Sequence, residues 1–339
     1  MRILNADEVK SLLDMRSCID AVEAAFRARG LGSPTPSVVA GLPLVAGKLH
    51  AKMASLELSR GYTVAKINAN VPGNPARYGL PSIQGVVLLF DSATGTPLAA
   101  LDSGPITSIR TAAATAVAAK WLAVESVASL TMIGCGVQAR AHVDALLHVR
   151  PITRLRAFDA NREHAEKFCA DMLSVYNLDC EIADNVRVAT QGSQIVVTTT
   201  PSRKAILDAD DVTAGTFVAG VGADNEDKQE LSVGLLRRAA VVVDDIDQCA
   251  HSGDLHHAIA AGVLTTSDVR GSLDQIVSER VRGRVDDREI IIFDSTGVAI
   301  EDVAAAAIVY EKAEREGVGI LADIGGFPAP DPLSARASS

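Results

Sequence analysis

The stretch that decides the fold is Leu130-Thr-Met-Ile-Gly134-Cys-Gly136-Val-Gln-Ala139, in which a short apolar run leads into the pattern G-x-G-x-x-A. This pattern predicts a β-strand that turns directly into a helix. Gly134 permits a tight turn, Gly136 lets a phosphate approach the backbone, and Ala139 allows close packing of helix and strand. Free N–H groups at the helix start would face the anion. The stretch therefore predicts a dinucleotide-binding unit; the alternative is a glycine turn that merely links strand to helix.

An acidic residue further along supports a dinucleotide site. Asp159 follows the next predicted strand, 25 residues after Gly134. A carboxylate at that place can accept hydrogen bonds from a ribose 2′-hydroxyl and repel a 2′-phosphate. We therefore expect NAD(H) to be preferred over NADP(H). Arg162 is the opposing signal, because an arginine just beyond the acidic residue can accommodate a 2′-phosphate.

The region from about 129 to 298 continues in the same way, with short apolar runs separated by segments long enough to form helices. Strands that are apolar on both faces are typical of a parallel sheet covered by helices on both sides. We predict an α/β protein with a Rossmann-type doubly wound parallel sheet domain. The runs are rich in Val and Ile and lie at 130–133, 154–158, 194–198, 217–221, 240–243 and 290–293.

The N-terminal third has a different pattern. From about 34 to 102, short β-rich runs are separated by turn sequences, which predicts an antiparallel sheet. Ala-rich segments at 107–122 and 303–319 predict helices, and we expect the second to dock back on the first domain. The expected organisation is an α+β domain formed by 1–118 together with 303–326, a Rossmann NAD-binding domain at 119–302, and a flexible tail at 327–339.

The composition excludes several classes of function. The chain has 339 residues, a hydrophobic fraction of 48% and no apolar run long enough to span a membrane. A net charge of −10 and an aromatic fraction of 4% make nucleic-acid binding a poor expectation. The five cysteines show no metal-ligand spacing, so we expect reduced thiols, no metal site and a cytoplasmic protein. The N-terminus lacks the pattern of a signal peptide, and we expect no export.

Three charged residues are candidates for chemistry. Lys66 lies within an apolar strand pattern, where a lysine needs a partner or a function; the alternative is an edge lysine that reaches solvent. Arg110 begins an apolar helix and could clamp a carboxylate, although a surface ion pair is the simpler alternative. Asp224 follows the strand at 217–221, on the edge where open α/β sheets bind ligands. Its alternative is a solvated acidic loop.

Several motifs together resemble the ornithine cyclodeaminase and mu-crystallin family, which includes alanine dehydrogenase-like enzymes and ketimine or cyclic-imine reductases. The resemblance implies a two-domain homodimer in which the first domain supplies substrate binding and the subunit interface, while the Rossmann domain holds NAD(H). The matching motifs are Lys66-Ile-Asn, Asn74-Pro, Gly79-Leu-Pro81, Asp91-x-x-x-Gly95-x-Pro97, Thr107-x-x-Arg110-Thr-Ala-Ala, Gly134-x-Gly-x-Gln138-Ala, Gly222-Ala-Asp224, Lys228-x-Glu230-Leu and Phe293-Asp-Ser-Thr-Gly297.

The resemblance also implies a role for each matching residue. Lys66 would bind the substrate carboxylate and polarise its imine or carbonyl, Arg110 would hold the carboxylate, and Asp224 would be the acid/base group at the nitrogen. We expect burial to raise the pKa of Asp224 toward neutrality for this task. Cofactor contacts are assigned to Gly134, Gly136, Val137 and Gln138 at the pyrophosphate, Asp159 at the adenosine ribose, and Lys228 and Ser295 at the nicotinamide end. Arg162, Thr199 and Thr200 are further candidates for cofactor binding.

The sequence departs from the family at one position. Cyclodeaminases carry an arginine on an early strand that helps to bind the substrate carboxylate, and residues 35–40 contain none. His50 and Lys52 lie on the next strand with the alternation that places both on one face. They could supply the missing positive charge, or they could form an exposed strand face. A cationic group of Lys52, Lys66 and Arg110 would suit a short 2-imino acid, including one with a second carboxylate.

Three functional hypotheses follow. The first is an NAD(H)-dependent imine reductase or amino-acid dehydrogenase that transfers hydride to the α-carbon of a small 2-imino acid, or of a 2-oxo acid with ammonia. The second is an ornithine- or lysine-type cyclodeaminase that recycles NAD internally and releases ammonia. The third is a non-catalytic binding protein of the mu-crystallin type. The retained lysine, arginine and aspartate argue against the third hypothesis.

Overall fold

The computed structural model describes residues 1–57 and 60–324, and two large sheets organise it. The first sheet has seven strands in the order β17-β1-β6-β5-β4-β3-β2, and its central strands are antiparallel as the turn-rich sequence predicts. These strands are β1 (Arg2–Leu4), β2 (Ser37–Leu44), β3 (Gly47–Glu57), β4 (Gly61–Asn70), β5 (Ile83–Asp91), β6 (Pro97–Asp102) and β17 (Ile320–Leu321).

The second sheet has eight strands, all of them parallel, in the order β15-β14-β16-β12-β10-β7-β8-β9. It contains each of the six predicted apolar runs to within one residue, which confirms the predicted fold class. Its strands are β7 (Ser129–Ile133), β8 (Arg154–Phe158), β9 (Cys180–Ile182), β10 (Ile195–Thr198), β12 (Phe217–Gly220), β14 (Ala240–Val243), β15 (Gly271–Ser272) and β16 (Ile291–Asp294). A separate parallel pair joins β11 (Arg203–Leu207) and β13 (Gln229–Leu231).

Twelve α-helices connect and cover the sheets within the described residues. Their ranges are α1 (Ala6–Leu12), α2 (Met15–Gly30), α3 (Asn74–Tyr78), α4 (Ser103–Leu122), α5 (Val137–Leu147), α6 (Arg162–Tyr176), α7 (Val186–Thr190), α8 (Val233–Arg238), α9 (Ile246–Ser252), α10 (Asp254–Ala260), α11 (Leu273–Val277) and α12 (Ala299–Glu316). None of these helices is long and apolar enough to cross a membrane.

Two Ala-rich helices pack between the elements of the two sheets. Helix α4 follows β6 directly and packs against α2, α5 and α12, and most of its alanines are completely buried. Small side chains let these helices approach closely without leaving voids. Helix α12 follows β16 and lies against β3 and β4 of the first sheet. The chain therefore leaves the second sheet at Asp294 and returns to the first.

The structure differs from the prediction at the start of α12. The helix begins at Ala299, four residues before the predicted start at Val303, because the Glu301 side chain accepts a hydrogen bond from the Val298 N–H at 3.2 Å and caps the first turn. The short strands β1 and β17 were not predicted, since runs of two or three residues carry little periodicity. The predicted tail at 327–339 lies outside the described residues.

The expectation that the cysteines are reduced thiols is wrong for one pair. Cys169 on α6 and Cys180 at the start of β9 form a disulfide, with Cα atoms 5.1 Å apart. Cys18, Cys135 and Cys249 are free and buried. Disulfides are rare in the reducing cytosol, so the cysteine pattern no longer supports the cytoplasmic expectation.

Candidate active site

A small cavity of about 100 Å³ opens on the face of β3 and β4 that looks toward the second sheet. The register of these strands places Lys52 opposite Lys66 and His50 opposite Asn68. Directly opposed residues share one face of a sheet, so all four side chains point the same way. The cavity gathers all five of the predicted catalytic and substrate-binding residues. It is lined by His50, Lys52, Lys66, Asn68, Asn70, Ile83, Thr107, Arg110, Asp224 and Thr296.

Lys66 is a buried cation at the floor of the cavity, with 4% of its surface exposed. Its ammonium nitrogen lies 2.8 Å from the Asp302 carboxylate. Burial and the nearby Arg110 lower the pKa of Lys66 to about 7, although Asp302 opposes this shift. A lysine of this pKa exists in both protonation states near neutrality, so it can bind a carboxylate and also donate a proton.

Arg110 lies beside Lys66 and is equally buried. Its Nη1 is 2.6 Å from Glu301 Oε2, and its Nε is 2.9 Å from Asp302 Oδ1. A Cβ atom at Gly297 would lie 2.6 Å from Nη1, and Gly297 has a φ of +76°. Glycine is required there both by the backbone conformation and by the close approach of the guanidinium. Arg110 is thus held from two sides with its remaining surface toward the cavity.

Glu301 and Asp302 were not predicted as site residues; they lie in the first turn of α12 and are completely buried. Burial raises the pKa of Glu301 to about 6 against the opposing effect of Arg110. Burial also acts to raise the pKa of Asp302, but Arg110 and Lys66 outweigh it and the pKa is lowered. Two adjacent acidic residues inside an otherwise apolar, Ala-rich helix were the signal available in the sequence.

Lys52 joins the two sheets. Its Nζ donates hydrogen bonds to the carbonyl oxygens of Thr296 at 3.0 Å and Gly297 at 2.7 Å. One N–H of the ammonium is left for the cavity. The pKa of His50 is lowered by partial burial and by Lys48, so its imidazole is neutral near pH 7. Of the two proposed replacements for the missing arginine, Lys52 alone brings a positive charge.

Asp224 lies at the mouth of the cavity, with 43% of its side chain exposed. Its Oδ1 is 2.8 Å from the ammonium of Lys228. Partial burial acts to raise the pKa of Asp224, but the charge and hydrogen bond of Lys228 and the charge of Lys52 lower it below the ordinary value. The expectation of a pKa near neutrality is therefore wrong, because the sequence did not show that Lys228 would pair with this carboxylate.

A groove of about 420 Å³ runs from this mouth to the glycine-rich turn. Arg110, Thr107, Asp224 and Thr296 line both the groove and the small cavity. The assigned cofactor residues on its wall are Gly136, Val137, Gln138, Thr199, Thr200, Lys228 and Ser295. Eight of the groove's lining residues therefore carry a predicted cofactor or acid/base role, and Arg110 carries a predicted substrate role.

The glycine-rich turn fits a dinucleotide. Gly134 has a φ of +88°, and a Cβ there would meet Thr200 and Thr199 at 2.8–2.9 Å. A Cβ at Gly136 would meet nothing within 4 Å, so the backbone is open to a ligand. Gln138 Oε1 is buried with no hydrogen-bond partner among the described residues. Buried polar atoms without partners are rare, and a bound NAD(H) would provide one.

Asp159 and Arg162 lie beyond the groove. Asp159 accepts hydrogen bonds from the Cys135 N–H at 2.8 Å and the Asn161 N–H at 2.9 Å, which fixes its carboxylate beside the glycine-rich turn. The Arg162 side chain extends into solvent, 3.2 Å from Glu166 and 3.4 Å from Asp184. Within residues 1–57 and 60–324, no group of three or more His, Cys, Asp or Glu side chains could hold a metal ion.

Comparison with known proteins shows to which family the chain belongs. The profile of the ornithine cyclodeaminase/mu-crystallin family matches residues 1–317. The chain is 40% identical to the alanine dehydrogenase of Archaeoglobus fulgidus, over 94% of this chain and 96% of that protein.

Two solved structures resemble the whole molecule. An archaeal alanine dehydrogenase dimer with bound NAD is 37% identical with a TM-score of 0.91, covering 96% of this chain and 99% of that one. The Thermococcus litoralis Delta(1)-pyrroline-2-carboxylate reductase in complex with NADH and L-proline is 31% identical, also with a TM-score of 0.91, covering 95% of this chain and 100% of that one. The chain therefore belongs to the ornithine cyclodeaminase/mu-crystallin family.

Proposed function

We propose that the protein is an NAD(H)-dependent oxidoreductase of C–N bonds that reduces a small 2-imino acid, or a 2-oxo acid with ammonia, to an amino acid. One observation carries this proposal: Lys66, Arg110 and Asp224 line one cavity whose mouth is shared with the groove of the glycine-rich turn. Substrate and dinucleotide would then meet at Asp224. The relatives that resemble the chain over its whole length support the same reaction class.

The residues of the cavity have distinct roles in this proposal. NADH, when bound, supplies the hydride. Arg110 and Lys66 bind the substrate carboxylate and hold the α-carbon within about 3–3.5 Å of the donor, the separation of a near-attack geometry. The low pKa of Asp224 keeps its carboxylate ionised. An ionised Asp224 stabilises a protonated imine nitrogen by hydrogen bonding and can take the proton from an amino group in the reverse direction.

The cavity favours a short substrate with one carboxylate. Its volume is about 100 Å³. Each cation in or next to it already contacts protein oxygens: Lys66 and Arg110 contact Asp302 and Glu301, Lys228 contacts Asp224, and Lys52 contacts two carbonyl oxygens. Lys66 and Arg110 can together hold one carboxylate, whereas a second carboxylate would have to compete with these existing contacts.

We also propose that NAD(H) is preferred over NADP(H). A 2′-phosphate near the glycine-rich turn would meet the Asp159 carboxylate, which backbone N–H groups hold in place. Arg162 lies next to acidic side chains instead of offering a free guanidinium. We also propose that the protein is a homodimer. The archaeal alanine dehydrogenase that resembles this chain is a dimer, and the exposed edge strand β2 offers a surface that a second copy could cover.

The test is an NADH-oxidation assay on the purified protein. The panel contains pyruvate, glyoxylate and oxaloacetate, each with ammonia, and preformed cyclic imines, with NADPH run in parallel. We expect stoichiometric NADH oxidation with a monocarboxylic substrate and slower turnover with NADPH. Lys66→Ala and Asp224→Ala should abolish turnover while NADH binding persists, and Lys312→Ala, a surface lysine paired with Asp14, should retain it.

Other outcomes separate the alternatives. Ammonia release from ornithine or lysine with catalytic NAD⁺ and no net NADH change would establish a cyclodeaminase instead. Faster turnover of oxaloacetate than of pyruvate would contradict the single-carboxylate assignment. Full activity of either Lys66→Ala or Asp224→Ala would contradict the assigned roles, and NADH binding without any turnover would favour a binding protein.

A further inference from the structure

Glu230 is a completely buried carboxylate beside the cofactor groove. It lies on the short strand β13, between the loop that follows β10 and the loop that follows β12. Those two loops carry Thr199, Thr200 and Asp224 on the groove wall. Glu230 itself does not line the groove or the cavity. Its carboxylate contacts the two loops on the side away from the groove.

The carboxylate accepts four short hydrogen bonds, two on each oxygen. Oε1 accepts from the N–H of Thr200 at 2.6 Å and from its hydroxyl at 2.7 Å. Oε2 accepts from the N–H of Gly222 at 2.6 Å and from the Thr198 hydroxyl at 2.7 Å. One side chain therefore joins the end of β10 to the loop that leads to Asp224.

The contact requires a carboxylate and no other side chain. Each oxygen faces a backbone N–H, which can only donate. A glutamine in either orientation would turn its NH₂ group toward one of these N–H groups, and an aspartate would be one methylene too short. The packing is equally close, because a Cβ at Gly222 would lie 2.2 Å from the Thr200 carbonyl oxygen and 2.6 Å from the Glu230 carboxyl carbon.

Glu230 is held in place by a second buried carboxylate. Asp254 Oδ1 accepts hydrogen bonds from the backbone N–H groups of Glu230 at 2.8 Å and Leu231 at 3.0 Å. Asp294, at the end of β16, accepts in turn from the N–H groups of Asp254 and Leu255 at the start of α10. The strand β13 is thereby fixed to the carboxyl end of the central sheet.

We propose that Glu230 is a positioning residue that sets the separation of the two loops holding the cofactor and Asp224, and so aligns hydride donor and substrate. The inference rests on the proposed function, because the alignment matters for hydride transfer. Misplacing reacting groups by about 1 Å costs about 100-fold in rate. Loss of Glu230 should therefore lower kcat while leaving the carboxylate-binding residues Lys66 and Arg110 untouched.

The experiment compares Glu230→Gln with Glu289→Gln, a carboxylate before β16 at the opposite end of the sheet, where it pairs with Arg270. We expect Glu230→Gln to lower kcat about 100-fold with little change in the KM of the acid substrate. The isotope effect with NADH deuterated at C4 should rise, because hydride transfer becomes rate-limiting. Glu289→Gln should keep its kcat. A folded Glu230→Gln protein with unchanged kcat and isotope effect would overturn the proposal.

A second variant covers the case in which Glu230→Gln does not fold. Thr198→Val removes one of the four hydrogen bonds without changing the side-chain volume, and should lower kcat about 5-fold. Its matched control is Thr131→Val on the neighbouring strand, whose hydroxyl bonds Ala189 and Ser193 away from the groove. Equal kcat values in the two variants would overturn the proposal.

A readout without substrate separates this inference from the proposed function. If the parent protein oxidises NADH with no acid in the panel, the proposed function fails, and amide hydrogen exchange then decides the inference. The amides of residues 199–200 and 221–224 should exchange faster in Thr198→Val than in the parent, with no change in Thr131→Val. Unchanged exchange in Thr198→Val would overturn the positioning role on its own.

Discussion

Lys66 combines two properties that a surface lysine does not have. It is buried among other cations, so its pKa falls to about 7, and it stays close to the Asp302 carboxylate that opposes this fall. In the role proposed for Lys66, the charged form binds the substrate carboxylate, whereas the neutral form is a weaker ligand. Protonation of a single side chain should thus control substrate affinity near neutral pH.

The first prediction concerns this titration. Because the folded pKa of Lys66 is about 7, affinity for a small unreactive carboxylate such as propionate should be constant below that pH and fall about tenfold per pH unit above it. Lys52, whose pKa burial also lowers, acts in the same direction. Competitive inhibition constants measured from about pH 6 to about pH 9 check this.

The control for the titration is Lys66→Arg. An arginine stays protonated throughout this range, so the fall in affinity should move to higher pH. If the inhibition constant of the parent protein does not change up to about pH 9, Lys66 stays charged over this range. That result would contradict the lowered pKa of Lys66.

At the scale of elements, the N-terminal turn of α12 supplies the carboxylates that pair with the cations of the cavity. Glu301 and Asp302 occupy its first turn, where the helix dipole favours negative charge. The helix enters from the second sheet and lies against β3 and β4, so its first turn reaches Lys66 and Arg110 from behind. One helix end therefore holds in position both of the cations that we propose to bind the substrate.

The second prediction follows from this arrangement. Asp302→Asn removes the charge that both Lys66 and Arg110 contact, and breaking a buried ion pair usually costs about 3–5 kcal/mol in the free energy of unfolding. Urea unfolding at pH 7 measures the loss. The exposed pair of Arg162 and Glu166 is the control, because Glu166→Gln should cost less than about 1 kcal/mol. Equal losses in the two variants would contradict the role of Asp302.

At the scale of the whole molecule, the first sheet ends in an unprotected strand. Every residue of β2 is exposed, and the strand pairs only with β3. Val38, Leu42 and Leu44 share one face of it, with exposures of 53%, 63% and 41%. Long apolar edge strands invite pairing with another chain, and native proteins normally cover them.

The third prediction is a homodimer that covers β2. Light scattering should give about twice the chain mass of 35.4 kDa. Leu42→Glu should shift the protein to the monomer, because a charge on the covered face must be desolvated. Val175→Glu, at an exposed apolar position on α6, is the control and should leave the dimer intact. A monomeric parent protein, or a dimeric Leu42→Glu variant, would contradict this interface.

The sequence by itself determined the family and the fold class. The strand-turn-helix unit at 130–139 and the six apolar runs could be recognised because glycine conformation and hydrophobic periodicity are local properties of the chain. Motifs such as Lys66-Ile-Asn and Thr107-x-x-Arg110 also identified the residues that line the cavity. Pattern alone was sufficient there, since each motif lies within a few residues.

Only the tertiary structure decided how these residues are charged and held. Lys66 and Asp302 are 236 residues apart in the chain, and Glu230 meets Thr198 only because β10 and β13 are brought together. Electrostatic interactions and hydrogen bonds depend on distances of a few ångströms, which sequence spacing does not give across such separations. For the same reason the low pKa of Asp224 and the role of Lys52 between the sheets became visible only in the folded chain.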